Sequence, residues 1–207
     1  MKIKSRKLAI IGASGHGKVI ADIASLNGYE EIVFYDDNAD KVHGIAYPVI
    51  GKCCDTIPDE FEVFVAIGNA DIRRKFMNQF DSHFIPTLIH PAAVIAEGVS
   101  IGQGTVIMAG TVVNPCVRIG KGCIINTCSS IDHDCSLGDY VHVAVGSHLC
   151  GTVEIGSSCW IGAGATVSNN ITICEDCMIG AGAVVVKNIK TQGTYVGVPA
   201  HIIKECI

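Results

Sequence analysis

His133 and Asp134 are the residues of this chain whose types and spacing best fit catalysis. A histidine beside a carboxylate can act as a general base, because the acid fixes the tautomer and orientation of the imidazole. Gly151 follows His133 by eighteen positions, and its amide is a candidate donor to the oxyanion formed in acyl transfer. The pattern predicts acyl transfer to a nucleophile deprotonated by His133; the alternative is a solvated surface histidine.

A glycine-rich segment near the start of the chain, GASGHG, is a second candidate site. Gly12, Gly15 and Gly17 follow an apolar run, so their amides and the N-terminus of a following helix can hold a diphosphate. Ser14 and His16 share this segment, which we interpret as an exposed loop. The order GxxGxG differs from the dinucleotide GxGxxG and favours a nucleotide-sugar over a redox dinucleotide. The alternative is a glycine turn that only packs a helix against a sheet.

Polar residues also follow the next two apolar runs. Asp36 and Asp37 end the run EIVFY, where a carboxylate can accept hydrogen bonds from a ribose or a uracil. Gly68 and Asn69 end the run VFVAIG. Because ligands of open α/β sheets bind beyond the carboxyl ends of the strands, we expect all four residues at the nucleotide-sugar site.

Residues 1–88 have the pattern of an α/β domain. The run KLAII, the helical segment KVIADIASLNG and the run EIVFY form a βαβ unit, and VFVAIG is a third strand. In the following segment, Ile72, Phe76 and Phe80 lie on one helical face. This half of the chain is predicted to be a truncated Rossmann-like nucleotide-binding domain.

Residues 89–207 follow a six-residue period. An aliphatic residue recurs at 17 consecutive sixth positions from Ile89 to Val185. The residue four places later is small or medium-sized, which suits the interior of a narrow prism. Three six-residue sides make a coil of eighteen positions, so the pattern predicts a parallel β-helix of nearly six coils. Four cysteines occupy the small inward position and need no chemical role: Cys123, Cys135, Cys159 and Cys177.

The period also predicts how residues stack. Gly151 should lie one coil directly above His133, whereas His142 lies half a coil from His133 and points away from it within one chain. A glycine often follows the aliphatic residue, and we attribute this to corners that demand permissive backbone angles. These glycines are Gly102, Gly120, Gly138, Gly156, Gly162 and Gly180.

Composition excludes several classes of protein. The net charge of −5 and the lack of Lys or Arg runs argue against nucleic-acid binding. The first apolar run is too short for a signal peptide or a membrane span. Eleven cysteines without a secretory signal indicate reduced thiols and a cytoplasmic protein. Cys174 and Cys177 form a CxxC pair, but the repeat explains Cys177, and we expect no metal.

The chain resembles the PglD/NeuD-like sugar acetyltransferases, most closely the UDP-4-amino-sugar N-acetyltransferases of the bacillosamine pathway. The resemblance covers essentially the whole chain and rests on IIGASGHGKV, FYDD, AIGNADIRRK, LIHPAA, NTCSSIDHDCSLGDYVHVAVGSHLCGTVEIG and YVGVPA. It implies a left-handed parallel β-helix, a homotrimer and acetyl-CoA bound between adjacent subunits. It also implies that a UDP-amino-sugar reaches the site from the N-terminal domain.

The resemblance assigns roles to individual residues. His133 is the implied base, oriented by Asp134, which replaces the Glu expected of the bacillosamine enzymes. Asn126 and His142 would line the acetyl and acceptor site, with His142 contributed by a neighbouring subunit. The resemblance also implies contacts with CoA. The backbone of Gly151 would bind the acetyl oxygen, and the pantetheine and adenine would lie near Gly197, Pro199 and Ala200.

The expected reaction is direct acetyl transfer from acetyl-CoA to the 4-amino group of a UDP-linked amino-dideoxy sugar. O-acetylation of sialic acid and N-acetylation of GDP-perosamine are alternatives, because related enzymes share much of this pattern. More distant alternatives are a zinc carbonic anhydrase using His133, His142 and His148, and a non-catalytic scaffold.

Overall fold

A computed structural model describes residues 5–38, 43–44, 46–80 and 85–205. The chain forms two compact units, Met1–Pro91 and Ala92–Ile207. The first is an α/β unit and the second a three-sided parallel β-helix. The predicted fold class is therefore confirmed.

The first unit is built on a parallel sheet with the strand order β3-β2-β1-β4. Apolar side chains from adjacent strands, including Ile10, Phe34 and Phe64, are buried in its core. The order reverses at β1, and ligands of open α/β sheets bind beyond the carboxyl ends of the strands at such a reversal. The elements are β1 (Arg6–Ile11), α1 (Gly15–Leu26), β2 (Tyr29–Tyr35), β3 (Val49–Gly51), β4 (Glu62–Val65), α2 (Ala70–Met77) and β5 (Leu88–Ile89).

Two details of this unit differ from the prediction. The run VFVAIG contains the fourth strand, because the short β3 precedes it and has too few residues to show a period. Helix α2 buries Arg73 and Met77, whereas Ile72 is 45% exposed. The predicted Ile72, Phe76 and Phe80 face is therefore wrong.

The glycine-rich segment is only partly a loop, because α1 begins at Gly15. His16 and Gly17 thus lie in the first helical turn, which corrects the predicted exposed loop. A Cβ on Gly17 would lie 2.1 Å from the carbonyl oxygen of Gly12. Gly17 therefore allows α1 to approach the end of β1, which is the packing role considered as the alternative.

The second unit has three flat sides made mainly of very short strands, each paired in parallel with the strand one full coil later. Side 1 contains β6 (Val94–Ile95), β9 (Val112–Val113), β12 (Ser130–Ile131), β15 (His148–Leu149), β18 (Thr166–Val167) and β21 (Val184–Val185). Side 2 contains β7 (Ser100–Ile101), β10 (Arg118–Ile119), β13 (Ser136–Leu137), β16 (Glu154–Ile155) and β19 (Thr172–Ile173). Side 3 contains β8 (Val106–Ile107), β11 (Ile124–Ile125), β14 (His142–Val143), β17 (Trp160–Ile161), β20 (Met178–Ile179), β22 (Gly193–Val196) and β23 (His201–Glu205).

The interior of the β-helix contains both residue classes that the period predicts. Aliphatic residues such as Ile125 and Ile161 are fully buried, and so are the small residues four places later. Buried hydroxyls are satisfied by turn carbonyls: Thr105 Oγ1 donates to Gly120 O at 2.8 Å, and Ser129 Oγ donates to Asn126 O at 2.7 Å. The core is therefore a ladder of Ile, Val, thiols and paired hydroxyls.

Most corners of the β-helix have a left-handed residue three places after the aliphatic position. Fifteen consecutive turns from Gly98 to Gly182 have this residue at positive φ, and eight of the fifteen are not glycine. The non-glycine residues are Cys116, Cys128, Asp134, Tyr140, Thr152, Ser158, Asn170 and Asp176. Left-handed backbone is unfavourable for residues with a Cβ, so the coil geometry must impose it.

The glycines that directly follow the aliphatic residue have a different cause from the predicted one. Their φ angles are not in the left-handed region. A Cβ on Gly102 would lie 2.6 Å from the carbonyl carbon of Gly120, and one on Gly162 would lie 2.5 Å from Ile179 O. At all of these glycines except Gly180, the backbone of the next coil leaves no room for a side chain; at Gly180 the side chain of Val196 is the closest obstacle.

The last coil is shorter than the others. Ile173 bridges to Ile189, and β20 pairs with β22, so each pair is two positions closer along the chain than the pairs of earlier coils. Strand β22 then pairs antiparallel with β23, and Gly197 turns between them with φ +96°. Among the described residues, no helix is long and apolar enough to cross a membrane.

Gly162 and Gly164 provide a direct test of these two roles for glycine. We expect Gly162→Ala to lower the free energy of unfolding by about 3 kcal/mol, because its Cβ would meet backbone. Gly164→Ala should cost about 1 kcal/mol, because its Cβ would meet nothing within 4 Å and only φ +66° opposes it. Denaturant unfolding of both variants measures the difference. Equal losses, or a larger loss in Gly164→Ala, would contradict the steric explanation.

Candidate active site

His133 projects from the corner between sides 1 and 2, immediately after β12. Its side chain is 54% exposed, and Nδ1 lies 2.8 Å from Oδ2 of Asp134. A carboxylate only accepts hydrogen bonds, so it holds the proton on Nδ1. In the neutral ring this leaves the lone pair on Nε2, where a general base needs it.

The backbone of Asp134 determines where its carboxylate points. Asp134 is the left-handed residue of its turn, with φ +60°, and its N–H donates to Pro115 O of the coil below at 3.1 Å. Aspartate is one of the residues that tolerate this conformation. The shorter carboxylate of Asp134, compared with the expected Glu, therefore still reaches the imidazole.

A second carboxylate, Asp132, also lies beside His133. Its Oδ1 accepts hydrogen bonds from His133 N at 2.8 Å and from Asn114 Nδ2 at 2.7 Å, and its Oδ2 is 4.0 Å from His133 Nε2. The hydrogen bond to Asp134 and the charge of Asp132 raise the pKa of His133. The hydrogen bond from Asn114, followed by that from His133 N, lowers the pKa of Asp132.

Gly151 lies directly above His133, in the place that the coil period predicts. Thr152 N donates to His133 O at 2.9 Å, which holds the two turns in register. A Cβ on Gly151 would lie 2.7 Å from Cε1 and 2.8 Å from Nε2 of His133. The Gly151 amide donates to no acceptor within the described ranges. The imidazole thus packs against a glycine whose N–H is available to another group.

A second pair of polar side chains consists of His142, on side 3, and Asn126, at the corner that follows side 3. The Oδ1 of Asn126 accepts from Thr127 N at 2.8 Å, so its NH2 group faces His142 Nε2 at 3.3 Å. His142 Nε2 is therefore the acceptor. The His142 ring also packs against Trp160 with the ring centroids 4.1 Å apart.

These two pairs occupy different parts of the coil in one chain. His133, Asp134 and Gly151 come together at the corner between sides 1 and 2, whereas His142 lies on side 3. His148 lies on side 1, where its Nδ1 is 2.8 Å from Ser130 Oγ. The three histidines considered as zinc ligands are thus on three separate parts of the coil.

The start of α1 borders a cleft of ≈ 500 Å³ in the first unit. The N-cap residue Ser14 makes no side-chain capping bond, and the first helical hydrogen bond runs from Lys18 N to Ser14 O. The amides of the first turn therefore lack helical acceptors and can bind an anion. The cleft is lined by Ala13, Ser14, Gly15, Lys18, Asp36, Asn38 and His43.

Asp36 and Asp37 have different positions. Asp36 lines the cleft, and its carboxylate accepts from Ala13 N and Asn38 N, each at 2.8 Å. Asp37 accepts from Cys53 N at 3.1 Å and is not among the cleft residues. Asp36 therefore organises the cleft wall, while Asp37 anchors the segment after β3.

Further contacts at the carboxyl end of the sheet involve Gly68, Asn69 and His16. Arg73, 1% exposed, donates through Nη1 to Ile67 O and Gly68 O, both at 2.7 Å, and Asn69 Oδ1 caps α2 by accepting from Ile72 N. Burial, with the charge of Arg73, lowers the pKa of His16 to about 4. His16 is thus neutral near pH 7 and is not the exposed loop residue that the sequence indicated.

Gly197, Pro199 and Ala200 form the turn between β22 and β23. Val184 N donates to Gly197 O at 3.0 Å, and Ala200 N donates to Val184 O at 2.8 Å. These bonds fix the turn against β21. The neighbouring Val198 is 73% exposed, so this end of the β-helix presents an apolar side chain.

Three residues at the candidate sites are not predicted by the sequence patterns above: Lys18, Asp132 and Asn114. Lys18 directly follows the glycine segment, and a cation at the start of a helix after glycines is a phosphate signal. Asn114 precedes Asp132 by one full coil, so the repeat itself indicated their contact.

Cys174 and Cys177 have their sulfurs 3.5 Å apart. Over the described part of the chain, no group of three or more His, Cys, Asp or Glu side chains is arranged to hold a metal ion.

Comparison with known proteins identifies both units. Residues 7–80 match the PglD N-terminal domain, and residues 98–133 and 152–187 match the bacterial transferase hexapeptide repeats. A curated relative, UDP-N-acetylbacillosamine N-acetyltransferase of Bacillus subtilis (strain 168), is 34% identical over 114 residues. That match covers 50% of this chain and spans only about half (52%) of the relative's length.

Solved structures match nearly the whole chain. The acetyltransferase domain of PglB from Neisseria gonorrhoeae FA1090 is 40% identical, with a TM-score of 0.90, and 96% of this chain covers 100% of that one. The same domain is also known in complex with acetyl coenzyme A. PerB from Caulobacter crescentus, in complex with CoA and GDP-perosamine, is 34% identical with a TM-score of 0.86, covering 95% of this chain and 97% of that one. The chain therefore belongs to the family of PglD-like sugar acetyltransferases.

Proposed function

We propose that the protein transfers an acetyl group from acetyl-CoA to the 4-amino group of a UDP-linked amino-dideoxy sugar. The observation that carries this proposal is the arrangement of His133, with Nδ1 bonded to Asp134 and its ring against Gly151. The names of the relatives support an amino-sugar acceptor, and the complexes with acetyl coenzyme A and CoA support the donor. Because the reaction uses acetyl-CoA, we place it in the cytoplasm.

The mechanism follows from the free nitrogen of His133. Nε2 removes a proton from the sugar amine as the amine nitrogen attacks the thioester carbonyl carbon. The new C–N bond forms, the Gly151 amide stabilises the oxyanion, and the C–S bond then breaks. The imidazolium returns its proton to the CoA thiolate, so the base is regenerated without a covalent enzyme intermediate.

The cleft in the first unit is the proposed binding site of the nucleotide. The diphosphate would accept hydrogen bonds from the first-turn amides of α1 and from Lys18, close to Ser14 and Gly15. Asp36 would limit how far an anion can enter. A site for a nucleotide diphosphate favours a nucleotide-linked amino sugar over free sialic acid.

GDP-perosamine is the second candidate acceptor, because the PerB structure contains it and PerB is 34% identical to this chain. An assay of free CoA release identifies the nucleotide and the sugar of the acceptor. It is run across a panel of UDP- and GDP-linked amino sugars, with sialic acid as the comparison. Turnover with a UDP-4-amino-sugar alone supports the proposal, and turnover with GDP-perosamine alone favours the alternative.

We also propose a homotrimer in which a neighbouring subunit brings Asn126 and His142 to His133. Within one chain these residues lie on different parts of the coil. Side 3 also exposes Trp160 and Met178 beyond His142, which suits an apolar contact between subunits.

Lys18→Met tests the nucleotide cleft. We expect it to weaken binding of UDP by about tenfold, because it removes a charged donor to the phosphates. Calorimetry with UDP measures this change, and Lys75→Met, which alters an exposed lysine of α2 outside the cleft, is the matched control. Equal affinity of both variants for UDP would contradict the assignment.

His133→Ala tests the base. We expect kcat to fall by about 10² to 10⁴-fold with nearly unchanged affinity for acetyl-CoA. Because the hydrogen bond to Asp134 and the charge of Asp132 raise the pKa of His133, kcat/KM should increase with pH through an ionisation at higher pH than that of an unperturbed histidine. Asp134→Asn should shift that limb to lower pH and harm kcat less. Near-normal turnover by His133→Ala would place the base elsewhere.

His142→Ala is the companion variant in the same experiment. If sites form between subunits, co-expressed His133→Ala and His142→Ala chains should regain about a quarter of wild-type activity, since a random neighbour completes that share of sites. Activity no higher than that of the separate variants would contradict the shared site.

A further inference from the structure

The two carboxylate oxygens of Asp132 have different surroundings: one accepts hydrogen bonds from the described part of the protein and the other does not. Oδ1 accepts from His133 N and from Asn114 Nδ2, at 2.8 and 2.7 Å. Within the described residues, Oδ2 accepts no hydrogen bond and lies 4.0 Å from His133 Nε2. The turn therefore directs a free carboxylate oxygen toward the nitrogen that Asp134 leaves unprotonated.

Asn114 determines this orientation from the coil below. Its backbone N–H donates to Ile131 O at 2.9 Å, so the Asn114 backbone is fixed by sheet pairing. Its side chain donates to the same oxygen that His133 N uses. Two donors on Oδ1 prevent the carboxylate from rotating Oδ2 away from the imidazole.

Among the described residues, few charged groups lie around the His133 ring. Asp132 and Asp134 belong to the same turn as His133 and flank its two nitrogens. The turn below contributes Asn114, Pro115 and Cys116, and the turn above contributes Cys150, Gly151 and Thr152. Over the part of the chain that the structure describes, these two carboxylates are the charged groups that act on the imidazole.

We propose that Asp132, held by Asn114, is a positioning residue that stabilises the imidazolium of His133 at Nε2 after it has taken the proton of the amine. This inference rests on the proposed function. No proton leaves His133 for Asp132: the carboxylate attracts the Nε2–H group until the proton passes to the CoA thiolate. Asp134 orients the ring through Nδ1, and Asp132 acts on the opposite nitrogen, where the charge develops.

Asp132→Asn separates the charge from the turn structure, because the amide oxygen can still accept from Asn114 Nδ2 and His133 N. We expect the NMR titration midpoint of the His133 ring to move to lower pH. The acidic limb of kcat/KM should move in the same direction, and kcat should fall by about tenfold. Asn114→Ala, which keeps the charge but frees the carboxylate, should produce smaller changes of the same sign.

Asp139→Asn is the matched control, because Asp139 Oδ1 also accepts a hydrogen bond from the coil below, from Lys121 N at 3.0 Å. It should leave the titration of His133 unchanged. An unchanged titration of His133 in Asp132→Asn would overturn the inference, since a purely structural role for Asp132 predicts that result. If His133→Ala is inactive and Asp132→Asn is normal, only this inference fails; if His133→Ala is active, the proposed function fails first.

Discussion

The stacking of each residue on the equivalent residue of the next coil is the constraint on which the rest of this structure depends. Parallel pairing joins Ile119 to Leu137 and Ile131 to Leu149, and the same register places Gly151 on His133. A single inserted residue would move every later side chain to a different place on the coil. The hydrophobic period that builds the core therefore also assembles the candidate active site.

The stacking of the coils also holds the corners in unfavourable backbone conformations. Residues with side chains adopt positive φ at eight turns, including Asp134, because hydrogen bonds between coils leave no other path. At Asp134 the conformation directs the carboxylate to His133 Nδ1. A turn geometry repeated throughout the β-helix thus acquires a chemical role where its residues are Asp, His and Asp.

The sequence predicted the fold class, the coil length and the meeting of His133, Asp134 and Gly151, because all of these depend on a period visible in the residues. The sequence-based explanation was wrong for residues whose type is required by contact with a backbone segment distant in the chain. Gly162 is required by the next coil rather than by its own φ, and Gly17 is required by the carbonyl of Gly12. Arg73 is buried against two carbonyls, a role that helical periodicity cannot indicate. The prediction that His16 lies in an exposed loop was also wrong, because its burial near Arg73 depends on the tertiary structure.

Gly151→Ala tests the central claim, that the register of the coils builds the acyl-transfer site. The added Cβ would lie 2.7 Å from the His133 ring and would meet a flexible side chain rather than backbone. We expect an unchanged unfolding midpoint and a fall in kcat of about 100-fold or more, because the imidazole must leave its place beside the thioester. Wild-type kcat in a folded Gly151→Ala variant would contradict it.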